Sequence, residues 1–193
     1  MIAIIETSTA NLASVETALA RLGRETVRTI DPSVVESADY VVLPGVGQFL
    51  PARTRLRETG VDRALVDRVR AEKPTLGVCL GFQLFFEGSD ESQGEPGLGL
   101  LDGRVVALDG PRSPHMGWAN LDDRTWGPVY FAHTFGVRSA PGAETTWADC
   151  GGPFVAAVRR GALLGCQFHP ELSGSAGRRW LTRWLAANRR EGA

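Results

Sequence analysis

GVCLGFQLFFEG, residues 77–88, sets one cysteine between two glycines, with an apolar lead-in before it and a helix-like apolar run behind it. The residues leading into Cys79, TLGV at 75–78, have the make-up of a short buried strand, and the run after it reads as a helix that begins at once. A strand ending in Gly-x-Cys-x-Gly that passes directly into a helix is the cysteine form of a nucleophile elbow. Gly77 and Gly81 permit a tight, crowded turn that holds the side chain at the top of a sheet, and the helix N-terminus favours negative charge there. A thiolate so placed can attack a carbonyl carbon, with the backbone N–H of Leu80 as one oxyanion donor. A small residue packing in a glycine-rich turn is the competing reading of Cys79, and the rest of the chain weighs between the two.

On the N-terminal side, Ile2, Ile4 and Ile5 read as a first strand, followed by NLASVETALARLG with Leu12, Val15, Leu19 and Leu22 at helical spacing and Gly23 as a stop. DYVVLPGVG at 39–47 is a buried strand running into a Pro/Gly turn, and VDRALVDRVRAEK at 61–73 is an amphipathic helix that stops before Pro74. Strand and helix alternate, which implies a parallel sheet with helices on both faces. After the Gly-rich loop EGSDESQGEPGLG the pattern changes to short β-rich runs: RVVALD, GPVYFAHTFGVRS, and the pair FVAAV and ALLGCQF joined by Arg159, Arg160 and Gly161. These are expected as antiparallel additions at the sheet edge. In the closing helix AGRRWLTRWLAANRR, Trp180 and Trp184 lie four residues apart beside Leu181 and Leu185, an apolar face suited to the core. The expected fold is a three-layer α/β architecture with a mostly parallel central sheet, helices on both faces and antiparallel strands added in the second half, within a single domain over residues 1–193.

The 193 residues are 43% apolar and 22% charged, with a formal net charge of −1. That balance offers no general attraction to phosphate backbones or acidic membranes, so neither nucleic acid nor membrane is expected as a partner. No apolar run approaches the ~20 residues of a membrane span. The start MIAIIETSTAN has neither the basic flank nor the cleavage site of a signal peptide, and the cytoplasm is the expected compartment. Cys79, Cys150 and Cys166 are odd in number and lack CxxC spacing, which disfavours a disulfide framework and a thiolate metal site; no metal or cofactor is expected. Packing is the expected role of Cys150 and Cys166.

A cysteine nucleophile needs a base. Of three histidines, His169 in CQFHPELSG is best placed, just past an expected strand; Pro170 stiffens the turn, and Glu171 is positioned to accept a hydrogen bond from the far ring nitrogen. A loop histidine beside a solvated glutamate is the plainer reading of that pair, and its conjunction with the elbow is what argues for Cys79, His169 and Glu171 acting together. LPGVGQF at 43–49 ends another parallel strand, where open α/β sheets place their crevices. Gly45 and Gly47 can take positive φ and turn a backbone N–H of Val46 or Gly47 toward a developing oxyanion.

The segments GVCLGFQLFFE, LPGVGQF, SPHMGWANL, VYFAHTFGV and QFHPELSG together resemble the class I (triad) glutamine amidotransferases, most closely the branch that supplies the glutaminase subunits of imidazole glycerol phosphate synthase. The resemblance implies that Cys79 attacks the carboxamide of glutamine, that His169 transfers protons and Glu171 orients it, and that a thioester is then hydrolysed to glutamate. It implies an oxyanion hole from the backbone of Leu80, Val46 and Gly47, and a glutamine pocket involving Gln83, Gly45 and the backbone of His115, Met116 and Gly117. It implies further a (β/α)8-barrel cyclase subunit as heterodimer partner and receiver of the ammonia, with a peptide rotation in the PGVG segment as the activity switch. A glutaminase of pyridoxal phosphate synthase and a non-catalytic partner-binding homologue are the alternatives. Three positions depart from the family pattern. Glu6–Asn11 replaces Asp-Tyr-Gly-x-Gly-Asn, Leu172 stands where a lysine pairs with the cyclase, and Phe135 stands where tyrosine is common. Chemistry is expected to survive these changes and docking to be altered by them.

Overall fold

The computed structural model describes residues 1–7, 12–110 and 113–188. Among these, a seven-stranded sheet forms the centre, in the order β2 (Thr26–Thr29), β1 (Ile2–Ile5), β3 (Tyr40–Leu43), β4 (Thr75–Val78), β11 (Leu163–Cys166), β10 (Pro153–Arg160) and β9 (Glu144–Asp149). The pairings from β2 across to β11 are parallel, and β10 and β9 are antiparallel additions. β11 departs from the expected edge position: it lies inside the sheet, antiparallel to β10 and parallel to β4. The remaining β-rich runs do not join the sheet at all. β5 (Val105–Ala107) pairs with β8 (Phe135–Val137), and β6 (His115–Ala119) with β7 (Val129–His133), as two separate ribbons.

Alternation along each strand feeds two cores. Ile2, Ile4, Val42, Leu76 and Val78 pack under α1 (Leu12–Ala20) and α6 (Gly174–Ala187), while Ala3, Ile5, Val41 and Leu43 pack under α2 (Pro32–Ser37), α3 (Phe49–Thr59) and α4 (Val61–Arg70). The result is the expected three-layer arrangement. Trp180 and Trp184 are buried in the α6 core, Trp180 edge-on to Phe168 and Trp184 edge-on to Tyr40. Among the described residues no helix is long and apolar enough to cross a membrane.

The helix expected directly after Cys79 is a single turn, α5 (Leu80–Gln83). The segment 97–101 explains why. Leu98 N–H donates to Leu84 O, Gly99 N–H to Phe86 O, and the N–H groups of Leu100 and Leu101 both to Phe85 O. These carbonyls are taken by tertiary partners, which satisfies them without further helical turns.

Arg68, on α4, is 2% exposed, and its guanidinium donates to the carbonyls of Val35, Ala38, Asp39 and Pro74. It thereby ties α2 and the starts of β3 and β4 to α4. Replacing it with methionine keeps the bulk but leaves several buried acceptors short of a donor, at a cost of about 3 kcal/mol or more. Arg68→Met should lower the urea midpoint accordingly while leaving the dependence on urea unchanged.

Candidate active site

Three adjacent parallel strands end at one edge of the sheet. β3 runs into Pro44–Gln48, β4 into Cys79, and β11 into Gln167–Glu171. The order of the strands therefore brings together segments that are far apart in the chain.

Cys79 has φ 54° and ψ −110°, a strained backbone for a residue with a side chain. Its N–H donates to Cys166 O at 2.8 Å and its carbonyl accepts from Gln83 N at 3.1 Å. The flanking glycines make room for this turn. A Cβ on Gly77 would lie 2.4 Å from the Phe85 ring, and one on Gly81 would lie 1.8 Å from Leu43 O, so neither position admits a side chain without moving its neighbours.

His169 sits just past β11, with its N–H donating to Tyr130 O at 2.9 Å. Ser173 clamps the same turn: its hydroxyl donates to His169 O at 2.6 Å and accepts from Tyr130 N at 2.9 Å. The ring carries a proton on Nδ1 toward Glu171 Oε1, 2.8 Å away, and Cys79 lies close enough to act on its charge. Burial alone would push the imidazole down, but the bonds and charges of Cys79 and Glu171 outweigh it and raise His169 to about 10. Since α5 has only four residues, little helix dipole accumulates behind the sulfur. The positive charge facing Cys79 belongs to His169. His133 behaves oppositely: burial, partly offset by its bond to Phe135 O, pushes it down to about 4, so it is neutral at physiological pH. His115 stacks on Phe131, with ring centroids 4.6 Å apart, in the same aromatic cluster.

The expected oxyanion donor Leu80 N–H is occupied by Gly45 O at 3.4 Å, a long hydrogen bond. Gly45 approaches so closely that a Cβ there would lie 2.8 Å from Leu80 Cβ. Gly47 has the expected positive φ, 96°, whereas Gly45 does not take one. Val46 is 38% exposed. Gln83 is buried, and its Nε2 donates inward to Phe135 O at 2.8 Å and to Gln167 Oε1 at 2.9 Å. Met116 pairs with Ala132 across the β6–β7 ribbon, and Ala132 O lies 3.9 Å from Cys79 Sγ, so the ribbon flanks the sulfur. Gly117, next along, has φ 122°. Residues 8–11 of the divergent first loop lie outside the described residues, and Leu172 is 42% exposed beside Glu171.

Sequence reasoning missed Gln167, which is fully buried and donates through Nε2 to Cys79 Sγ at 3.6 Å. Its signal was available: Gln167 lies two residues before His169, in the turn that follows directly on β11. Cys150 and Cys166 are buried, and burial pushes Cys166 well above the ordinary thiol range. Among the described residues no cluster of side chains suits a metal ion. A cavity of about 280 Å³ lies elsewhere, between α6 and β9–β11, lined by Trp126, Arg159, Trp180 and Arg183 among others; it holds no nucleophile and does not reach Cys79.

The family model described as glutamine amidotransferase class-I matches residues 4–187. Curated relatives named imidazole glycerol phosphate synthase subunit HisH include that of Exiguobacterium sibiricum, 41% identical over 95% of this chain and 94% of the relative. The Mycobacterium tuberculosis protein of that name is 37% identical over 95% and 96%, and subunit HisH 2 of Parasynechococcus marenigrum is 43% identical over 94% and 92%. Among solved structures, a glutamine amidotransferase superposes with a TM-score of 0.80 at 22% identity, covering 97% of this chain and 98% of that one. PurLQS from Thermotoga maritima superposes with a TM-score of 0.75 at 19% identity, covering 97% and 98%.

The charge on His169 is testable without substrate. Its imidazole resonances should titrate near pH 10 in the wild type, and Cys79→Ala should bring the midpoint down toward the ordinary histidine value. Because the folded-state value is raised, this contribution to stability is fully present below about pH 6.5 and is lost as pH rises through about 10. Urea unfolding across that range checks the sign.

Proposed function

The chain belongs to the class-I glutamine amidotransferase family, and from that premise we propose that it is the glutaminase subunit of an imidazole glycerol phosphate synthase in histidine biosynthesis. It works as one glutamine amidotransferase domain over residues 1–193, in the cytoplasm, and passes ammonia to a (β/α)8-barrel cyclase subunit. The observation that carries this reading is the chain of contacts Cys79–His169–Glu171 at the shared edge of β3, β4 and β11. The names of relatives at 37–43% identity over nearly their whole lengths support the choice of synthase.

In this mechanism the Cys79 thiolate forms a bond to the carboxamide carbon of glutamine, and the carbonyl π pair moves onto oxygen. His169 gives its proton to the amide nitrogen, and ammonia departs with the C–N pair, leaving a thioester. Water then attacks as His169 takes its proton. The thiolate leaves, and glutamate is released. Glu171 holds the imidazole through Nδ1 and stabilises its charge throughout. Gly45, the backbone of His115–Gly117 and the Oε1 of Gln83 contact the substrate, the two amide hydrogens of Gln83 being held by Phe135 O and Gln167.

The resting geometry also supports dependence on a partner. Gly45 O and Val46 N–H belong to one peptide, so rotating that plane would remove the carbonyl from Leu80 N–H and turn the Val46 N–H toward the oxyanion in its place. A missing oxyanion donor costs about 10²–10³ in rate, so the chain alone should be a poor glutaminase. Exposed apolar residues border the site in three segments, with Val46 38% exposed, Trp118 57% and Leu172 42%, and these suit an apolar docking face for the cyclase. Leu172 would make an apolar contact where the family's lysine makes an ionic one.

Glutamate release should be slow for the chain alone and should rise by about 10² or more when the cyclase and its nucleotide are added. Cys79→Ala should abolish the stimulated rate while the chain still folds, as read by circular dichroism; a variant that still turns over at the wild-type rate would overturn the role of the sulfur. Trp118→Ala should weaken cyclase binding by about 2 kcal/mol, roughly 30-fold, with the rate at saturating cyclase retained. Titration calorimetry and a saturation series separate the two effects.

A further inference from the structure

A chain of directional hydrogen bonds runs from β8 to the sulfur. Phe135 O can only accept, and it receives His133 Nδ1–H at 2.9 Å and Gln83 Nε2–H at 2.8 Å. That acceptor fixes which end of the Gln83 amide faces inward. The second N–H of Gln83 then meets Gln167 Oε1 at 2.9 Å. Turning the Gln167 amide over would set two NH₂ groups face to face, so its oxygen is committed to Gln83. Its nitrogen is left facing Cys79 Sγ at 3.6 Å, within the range for a bond to sulfur. Gln167 has no exposed surface, and its backbone N–H is anchored on Ala156 O at 2.8 Å.

We propose that Gln167 is a second hydrogen-bond donor to the Cys79 thiolate, locked in its donating orientation by Gln83 and the Phe135 carbonyl. The inference deepens the thioester reading above and rests on it only in taking the thiolate as the reacting form. An amide neither gains nor loses a proton in the working pH range. Gln167 therefore stabilises and aims the sulfur charge without competing with His169 for the proton. The bond matters most when sulfur carries full charge, before attack and again as the thiolate leaves the carbon of the thioester. As a thiol, Cys79 has Ala132 O as an acceptor at 3.9 Å, so loss of the proton exchanges that long contact for the Gln167 donor.

Alkylation of Cys79 by iodoacetamide, followed by mass spectrometry against pH, reads the thiolate directly and needs neither glutamine nor partner. Gln167→Met keeps the length and removes the donor. Its profile should move about one unit to higher pH, a tenfold loss of thiolate below the midpoint, with Gln83→Met giving a smaller move in the same direction. A Gln167→Met profile that superimposes on the wild type overturns the proposal. Should that variant not fold, the wild type decides: the side-chain amide signals of Gln167 must shift with the Cys79 titration, and signals that stay still overturn it. An unshifted profile in an active glutaminase sinks this bond alone. A shifted profile in a chain that never hydrolyses glutamine sustains the bond and sinks the glutaminase reading.

Discussion

The backbone of Cys79 is the constraint on which the site depends. At φ 54° it stands in a conformation that costs a side-chain-bearing residue about 1–3 kcal/mol. The surroundings over-determine it. β4 is paired on both sides, by β3 and by β11, and the ladder continues past the strand end through Cys79 N–H to Cys166 O. Glycines on both strands let aromatic rings close in: a Cβ on Gly77 would collide with Phe85, and one on Gly165 with Phe82. The same rings fill the core beneath the elbow. Strain at one residue is thus carried by a packed region that cannot relax locally.

Charge at the site follows from that placement. A one-turn helix gives the sulfur little dipole, so the compensating charge comes from the imidazolium of His169, held by Glu171 on its far side. Both side chains are less than 10% exposed, where such interactions are screened far less than in water. His133, packed among the rings of Phe131 and Phe154, is pushed down by burial instead of up. Two histidines of similar burial thus differ in charge because His169 is hydrogen-bonded to a carboxylate, whereas His133 bonds a backbone carbonyl.

The loop after β3 is held more loosely than the side chains around Cys79. Gly45 O occupies the Leu80 donor through a 3.4 Å hydrogen bond, weak enough to exchange without disturbing the core. The His169–Glu171 pair and the amide chain through Gln83 and Gln167 are by contrast built from bonds of 2.8–2.9 Å, apart from the contacts to sulfur. A rigid nucleophile beside a loosely latched loop is a construction that an event at the surface can switch.

Local sequence was sufficient wherever the signal was a short period or a turn chemistry: the alternation of strand and helix up to Cys79, the glycine-flanked elbow, the His-Pro-Glu turn and the apolar face of the last helix. These are set by neighbours within a few residues, through steric room, side-chain direction and hydrogen bonds that close locally. The length of the helix after Cys79, the separation of the β-rich runs into ribbons and the interior place of β11 were decided only by the tertiary structure. Each turns on backbone groups whose partners lie tens of residues away, such as Leu84 to Phe86 with 98–101, or Cys79 with Cys166. The hydrogen bond of Gly45 O with Leu80 N–H and the donation from Gln167 belong to the same class. Residue identity says that a carbonyl or an amide is present, whereas the direction in which it points is fixed only when distant strands close around it.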